Sequence, residues 1–301
     1  MTHELKLAHT PDSDDAFMFY ALATRKVRTP GLKFTHVLAD IETLNQAAGQ
    51  ERYDVTAISF YAYAFVREKY LLLDCGASFG EGYGPIVVAL HPLQRDDLAG
   101  HRVAVPGLLT TAYLALKLFE PRVEAVPMAF DKILDAVRAG PDASGVDAGL
   151  LIHEGQLLYS QAGLHRVVDL GQWWFDETHL PLPLGGNAIR RALGPHMGRQ
   201  VARAIKQSIA YALEHRDAAL HYALQFAREM DLELADKFVG MYVNRWTLGC
   251  GDAGRRAVRE LLTRAAQAGL APKPVEAEFL SDAHPEASGQ SLRTVRAEDQ
   301  P

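Results

Sequence analysis

The chain has 301 residues, 48% of them hydrophobic, enough to bury one large domain or two of ordinary size without disulfide or metal staples. Its formal charge of −6, with the signs interspersed, excludes the basic footprint of a nucleic-acid or membrane-surface binder and points to a small-molecule partner. The two cysteines, Cys75 and Cys250, fall outside any C-x-x-C pattern, so neither a disulfide framework nor a thiolate metal site is expected.

In chain order, the N-terminus enters a strand-like segment without a signal h-region, and no run approaches the roughly 18 apolar residues of a membrane span, so a soluble, cytoplasmic protein is expected. Residues 5–9 read as a strand and 14–24 as a helix with Phe17, Tyr20 and Ala21 on one face. A second strand at 32–38 leads to a helix that Asp40 caps and that carries Ile41, Leu44 and Ala48. Runs at 55–59, 71–74 and 85–90 complete a first lobe, and the pattern restarts with strands at 102–105, 123–126 and 146–152 around amphipathic segments at 110–119 and 129–138. This alternation predicts a parallel sheet with helices on both faces. From about 192 the chain turns to alanine-rich helices at 201–213, 218–230 and 235–243, and the last 25 or so residues have the composition of a solvated tail. The expected organisation is a large discontinuous α/β lobe of residues 1–91 plus 186–275, a smaller α/β lobe of 92–185 and a tail of 276–301, with a ligand cleft between the lobes.

Five segments have the chemistry to furnish that cleft. The run Asp147 to Glu154 ends an apolar strand on His153, and ligands of open α/β sheets bind beyond the carboxyl ends of strands, which makes His153 a candidate base; the alternative is a histidine that only caps the strand. Residues 103–113 pass from a strand through Gly107 into a helix opening at Thr110, Thr111 and Ala112, where free N–H groups and the dipole favour an anion; an ordinary threonine cap is the plain alternative. The first loop, with Thr10 and Asp14 among its oxygen-bearing groups, has the look of a capped helix start rather than a calcium loop. The third strand end, Ala57-Ile58-Ser59, and the glycine-rich turn at Gly84 also face the expected cleft. No G-x-G-x-x-G, H-E-x-x-H or G-x-S-x-G motif occurs, which argues against a bound dinucleotide and removes a zinc peptidase and an α/β-hydrolase, and no metal is expected.

Taken together, Thr10-Pro11 with Asp15 and Phe17, Asp40 through Asn45, Gly84-Pro85, Val103 through Gly107 with Thr110 through Tyr113, Gly149 through Glu154, Val168 through Gly171 with Trp173-Trp174, and Leu180 through Gly185 form a specific ordered set. Over roughly residues 4–275 the chain resembles the 1,4-dihydroxy-6-naphthoate synthase family, lyases of the futalosine route to menaquinone. The resemblance implies a periplasmic-binding-protein-like fold of type II, two lobes around a cleft. It also implies cofactor-free cleavage of cyclic dehypoxanthine futalosine to 1,4-dihydroxy-6-naphthoate and dihydroxyacetone, with a small-molecule carboxylate as substrate. It places the proton acceptor on His153 and substrate contacts on Thr111 and Ala112.

The chain departs from the family pattern in two places. A lysine is common where this chain has Ala57, and a Cys-Pro-Asn-Asp-Thr type of sequence is usual where it has Asp12-Ser13-Asp14-Asp15-Ala16. The substrate carboxylate is therefore expected elsewhere, at Thr110 and Thr111, or the substrate is modified. Two alternatives stand beside the lyase: a non-catalytic carboxylate-binding protein, because fold alone never decides function, and the paralogous chorismate dehydratase. Homodimerisation is left open by the sequence.

Overall fold

Short apolar runs buried on both faces have to find strand partners on each side, and here they sort into two sheets. The computed structural model describes residues 2–226, 231–273 and 276–282. The first lobe begins with β1 (His3–His9), α1 (Ser13–Ala23), β2 (Leu32–Leu38), α2 (Ile41–Gly49), β3 (Val55–Ser59), α3 (Phe60–Val66), β4 (Tyr70–Leu73) and β5 (Ser78–Gly80). The second lobe comprises β6 (Ile86–Ala89), β7 (Arg102–Val105), α4 (Thr111–Phe119), β8 (Glu124–Pro127), α5 (Phe130–Ala139), the single turn α6 (Pro141–Ser144), β9 (Ala148–Leu151), the turn α7 (Gly155–Leu158), β10 (His165–Asp169) and α8 (Leu170–Thr178). The chain returns through β11 (Leu182–Arg190) to α9 (Gly194–Glu214), α10 (Arg216–Ala223), α11 (Leu232–Tyr242), α12 (Arg245–Leu248), α13 (Gly251–Gln267) and β12 (Phe279–Leu280).

The larger sheet has seven strands in the order β12-β4-β11-β3-β1-β2 with β5 beside β11, and the smaller has five in the order β10-β6-β9-β7-β8. β3 is buried at all five positions, as a central strand covered on both faces must be. Asp40 caps α2 through the Thr43 N–H at 3.0 Å, as its place before an apolar periodic run predicts. A continuous core joins Ile58, Phe60, Tyr63 and Phe79 of the large lobe to Val103, Leu114 and Leu150 of the small one, with Trp174 fully buried at the junction. A second core seals the outer face of the large sheet, where Phe17 and Met18 of α1 pack with Val201, Ile205 and Ile209 of α9. Among the described residues no helix is long and apolar enough to cross a membrane.

The structure corrects the expected organisation in several places. β6 pairs antiparallel with β9 and β10, so residues 86–89 belong to the small lobe and the first crossing precedes Ile86 rather than lying near 91. All four β6 residues are buried, and only a position between two other strands supplies that cover. β11 is a strand that the sequence periodicity does not announce: it contains Pro183, Gly185 and Gly186, yet it runs antiparallel between β3 and β4 and makes the large sheet mixed rather than parallel. Residues 182–185 already pair with β5, so the return crossing precedes 182. The expected tail is structured at its start, where Phe279 and Leu280 pair with Leu72 and Leu73; residues 283–301 lie outside the described residues. The helix expected at 218–230 ends at Ala223, and 227–230 lie outside the described residues.

Candidate active site

The site is built where strand ends and helix starts of both lobes meet. A cavity between the lobes is lined by Thr10, Asp14, Asp15, Ala57, Ile58, Ser59, Thr110, Thr111, Ala112, His153, Gln156, Asn187 and Tyr242, among others. Every candidate from the sequence lines it except Gly84, whose backbone packs against that of Gly171 where the crossing segments touch. None of the residues lining it is a lysine or arginine, and among the described residues no His, Cys, Asp and Glu group is placed to hold a metal ion.

The donors come from backbone and hydroxyls. Thr110 caps α4: its hydroxyl donates to the Gly107 carbonyl at 2.9 Å and accepts from the Tyr113 N–H at 3.2 Å, which commits it to the helix. Thr111 Oγ1 accepts the Tyr61 N–H at 3.1 Å from the other lobe and keeps its own proton to give. The N–H groups of Thr111 and Ala112 open the helix, where no intrahelical acceptor exists for them, and Ala112 lines the cavity. Ser59 is held by Asn45, whose amide accepts the Ser59 N–H at 2.9 Å and donates to Ser59 Oγ at 3.0 Å. Asn187, only 1% exposed, donates to the Gly76 carbonyl at 3.0 Å while its Oδ1 has no hydrogen-bond partner.

His153 follows β9 and takes a left-handed backbone, φ +52°, a conformation that costs a non-glycine residue about 1–3 kcal/mol and persists where surroundings enforce it. Gln156 does so. Its N–H donates to the His153 carbonyl at 3.2 Å. Its side-chain amide satisfies every neighbour only with the nitrogen toward the Gly84 carbonyl (2.6 Å) and the Tyr242 hydroxyl (2.7 Å) and the oxygen toward the His153 N–H (3.2 Å). The imidazole stands edge-on to Phe130, centroids 5.1 Å apart. Its Nε2 lies 3.3 Å from Asp12 Oδ2 of the opposite lobe, close enough for charge pairing though not aligned as a hydrogen bond. Burial works to lower the imidazole's proton affinity, but the carboxylates of Asp12, Asp14, Glu154 and Asp15 outweigh it and hold the pKa above its ordinary value.

Asp12, Asp14 and Asp15 are all buried at the start of α1, and they are not equivalent. Asp15 Oδ2 accepts both the N–H and the hydroxyl of Thr10, at 2.7 and 2.8 Å, so Thr10 serves the loop. Asp14 has only the Asp15 backbone N–H as a donor, its Oδ1 is unpartnered, and burial together with the Asp15 charge pushes its carboxyl up to about 7. Asp12, Gln156, Asn187 and Tyr242 were not singled out as site residues from the sequence. For Gln156 the spacing of three from His153 was the one available signal; Asn187 and Tyr242 arrive from remote elements that only tertiary structure brings in.

In fold, the chain is similar to the alkanesulfonate-binding protein of Xanthomonas axonopodis, at a TM-score of 0.69, 13% identity and coverage of 92% of this chain and 98% of that one. It is also similar to a crystal structure of a protein from Archaeoglobus fulgidus, at a TM-score of 0.84, 48% identity and coverage of 89% and 98%. A 1,4-dihydroxy-6-naphthoate synthase from Thermus thermophilus is 43% identical over 274 residues, 90% of this chain and 98% of that protein. The family model described as menaquinone biosynthesis matches residues 5–267. With a periplasmic-binding-protein-like fold and that match over nearly its whole length, the chain belongs to the menaquinone biosynthesis family.

Proposed function

We propose that the protein is a cytoplasmic carbon–carbon lyase that splits cyclic dehypoxanthine futalosine into 1,4-dihydroxy-6-naphthoate and dihydroxyacetone, with His153 as general base. The observation that carries this reading is the placement of His153: a buried imidazole on a strained, braced backbone at the cleft, 3.3 Å from Asp12, with its proton affinity raised by surrounding carboxylates. In the proposed step His153 takes a hydroxyl proton, the C–C bond breaks as that oxygen becomes a carbonyl of the three-carbon product, and the electron pair moves to the carbonyl oxygen of the ring. The substrate carboxylate, with no lysine or arginine lining the cavity, is received by the α4 N-terminus through the N–H groups of Thr111 and Ala112, the Thr111 hydroxyl and Ser59.

The test is incubation of purified protein with the cyclic substrate, following the naphthoate by absorbance and dihydroxyacetone chemically. H153A is expected to lower turnover by ~10²–10⁴-fold while substrate still binds, the usual range for loss of a general base. Saturable binding without product would identify a binding protein, and pyruvate released from chorismate would identify the dehydratase; unchanged turnover in H153A would remove the histidine from the chemistry.

A further inference from the structure

Three carboxyl groups within four residues cannot all stay ionised in a buried loop, and the hydrogen-bond donors decide which one keeps a proton. Burial raises the Asp15 pKa, but Asp15 accepts two donors from Thr10 and has the buried His9 nearby, and both favour its anionic form. Asp12 lies against His153. Asp14 lines the cleft, is only 9% exposed and carries an unpartnered oxygen. The groups facing it are Asp12 and Asp15 from its own loop and helix, His153 from the small lobe and the Tyr242 hydroxyl from α11. Only the imidazole among these can bring a positive charge, and it does so only when protonated.

We infer that Asp14 works as a neutral carboxylic acid that donates a hydrogen bond to a substrate oxygen, and that Asp14 and His153 share a single proton in the resting cleft. This rests on the lyase reading for the identity of that oxygen, the ring carbonyl that gains the electron pair, but not for the protonation of Asp14 itself. The reactive arrangement is neutral His153 with protonated Asp14. The alternative arrangement, imidazolium with carboxylate, has the same net charge and no base. Because the two groups interact, their titration belongs to the pair, and activity follows a bell bounded by protonation of His153 on the acid side and ionisation of Asp14 on the alkaline side. The carboxyl's midpoint of about 7 puts the alkaline limb within reach of ordinary assays.

The experiment is the pH profile of kcat for the wild type and D14N, which keeps an uncharged donor and removes the titration. The wild type is expected to fall about tenfold per pH unit above its upper midpoint. In D14N the alkaline limb should move to higher pH, while the acid limb should stay close to that of the wild type because Asp14 is already uncharged in that range, with peak turnover within about tenfold of the wild type. An alkaline limb shared by both proteins overturns the inference, and so does a D14N variant inactive at every pH, since an amide donor should serve. Wild-type-minus-D14N difference infrared spectra of the unliganded protein give a second readout that needs no substrate. A protonated-carboxyl band is expected about one unit below the midpoint and should fade as pH rises through about 7; an ionised carboxylate throughout would overturn the inference. If the wild type fails to turn over the cyclic substrate while the band is present, the lyase reading fails and the protonated Asp14 stands.

Discussion

At the scale of single residues, the catalytic geometry depends on the side chain that braces the base. Gln156 connects three parts of the molecule: the His153 N–H, the Gly84 carbonyl at the crossing between lobes, and the Tyr242 hydroxyl on α11. Its amide oxygen accepts the N–H of His153 in its left-handed conformation, so Gln156 is a positioning residue. Q156L keeps the volume and removes the bonds. The expected result is a fall in kcat of ~10–100-fold with KM within a few-fold, because a base displaced by about an ångström loses its line to the proton while the α4 N-terminus still binds substrate. The acid limb of the pH profile should stay in place, since the carboxylates around the imidazole are untouched. A rise in KM with kcat unchanged would instead make Gln156 a substrate ligand.

At the scale of elements, what the sequence revealed and what it hid divide along local and non-local lines. Helices α1, α2 and α4 and strands β1, β2 and β3 announce themselves through periodicity and caps that each segment contains, and β9 ending at His153 does the same. β11 does not, because proline and two glycines remove the local strand signal and its conformation is imposed by pairing with β3 and β4 on either side. β6 is locally a strand, but which sheet it joins is decided by residues 148–151 and 165–169, far along the chain. The site followed the same rule: His153 and the α4 start were legible, whereas the approach of Asp12 to His153 needs both lobes. Gly149 shows how closely the elements around the site fit. A Cβ there would stand 2.6 Å from methyl groups of Ile133 and Val137, so α5 sits directly on the strand that delivers His153. G149A should therefore destabilise the protein by about 1–3 kcal/mol through overpacking, measured by urea unfolding. A midpoint equal to that of the wild type would mean that α5 rides freely over β9.

At the scale of the molecule, the two lobes are held together across the cleft by a small number of polar contacts, and one of them lies away from the chemistry. Glu42 of α2 reaches from the large lobe to accept the Leu109 N–H of the small lobe at 3.1 Å. Gly107, at φ +157°, makes room for it, because a Cβ at that position would overlap the Glu42 carboxyl. Burial raises the Glu42 pKa, so its anionic form, the stronger acceptor, fades at a higher pH than for an exposed glutamate. A bond between the lobes favours the arrangement that brings them together, and so it acts on a hinge equilibrium without touching substrate. E42A removes a partly exposed, charge-assisted bond of roughly 1 kcal/mol from the closed state alone. The closed fraction falls, and apparent affinity falls with it. KM is expected to rise several-fold with kcat at saturation little changed, and small-angle scattering of the unliganded protein should show a larger radius of gyration. G107A, which pushes Glu42 out of its seat, should reproduce both effects. Because the two changes disable the same contact, the double variant should resemble either single one, and effects that add would place Glu42 and Gly107 in separate roles.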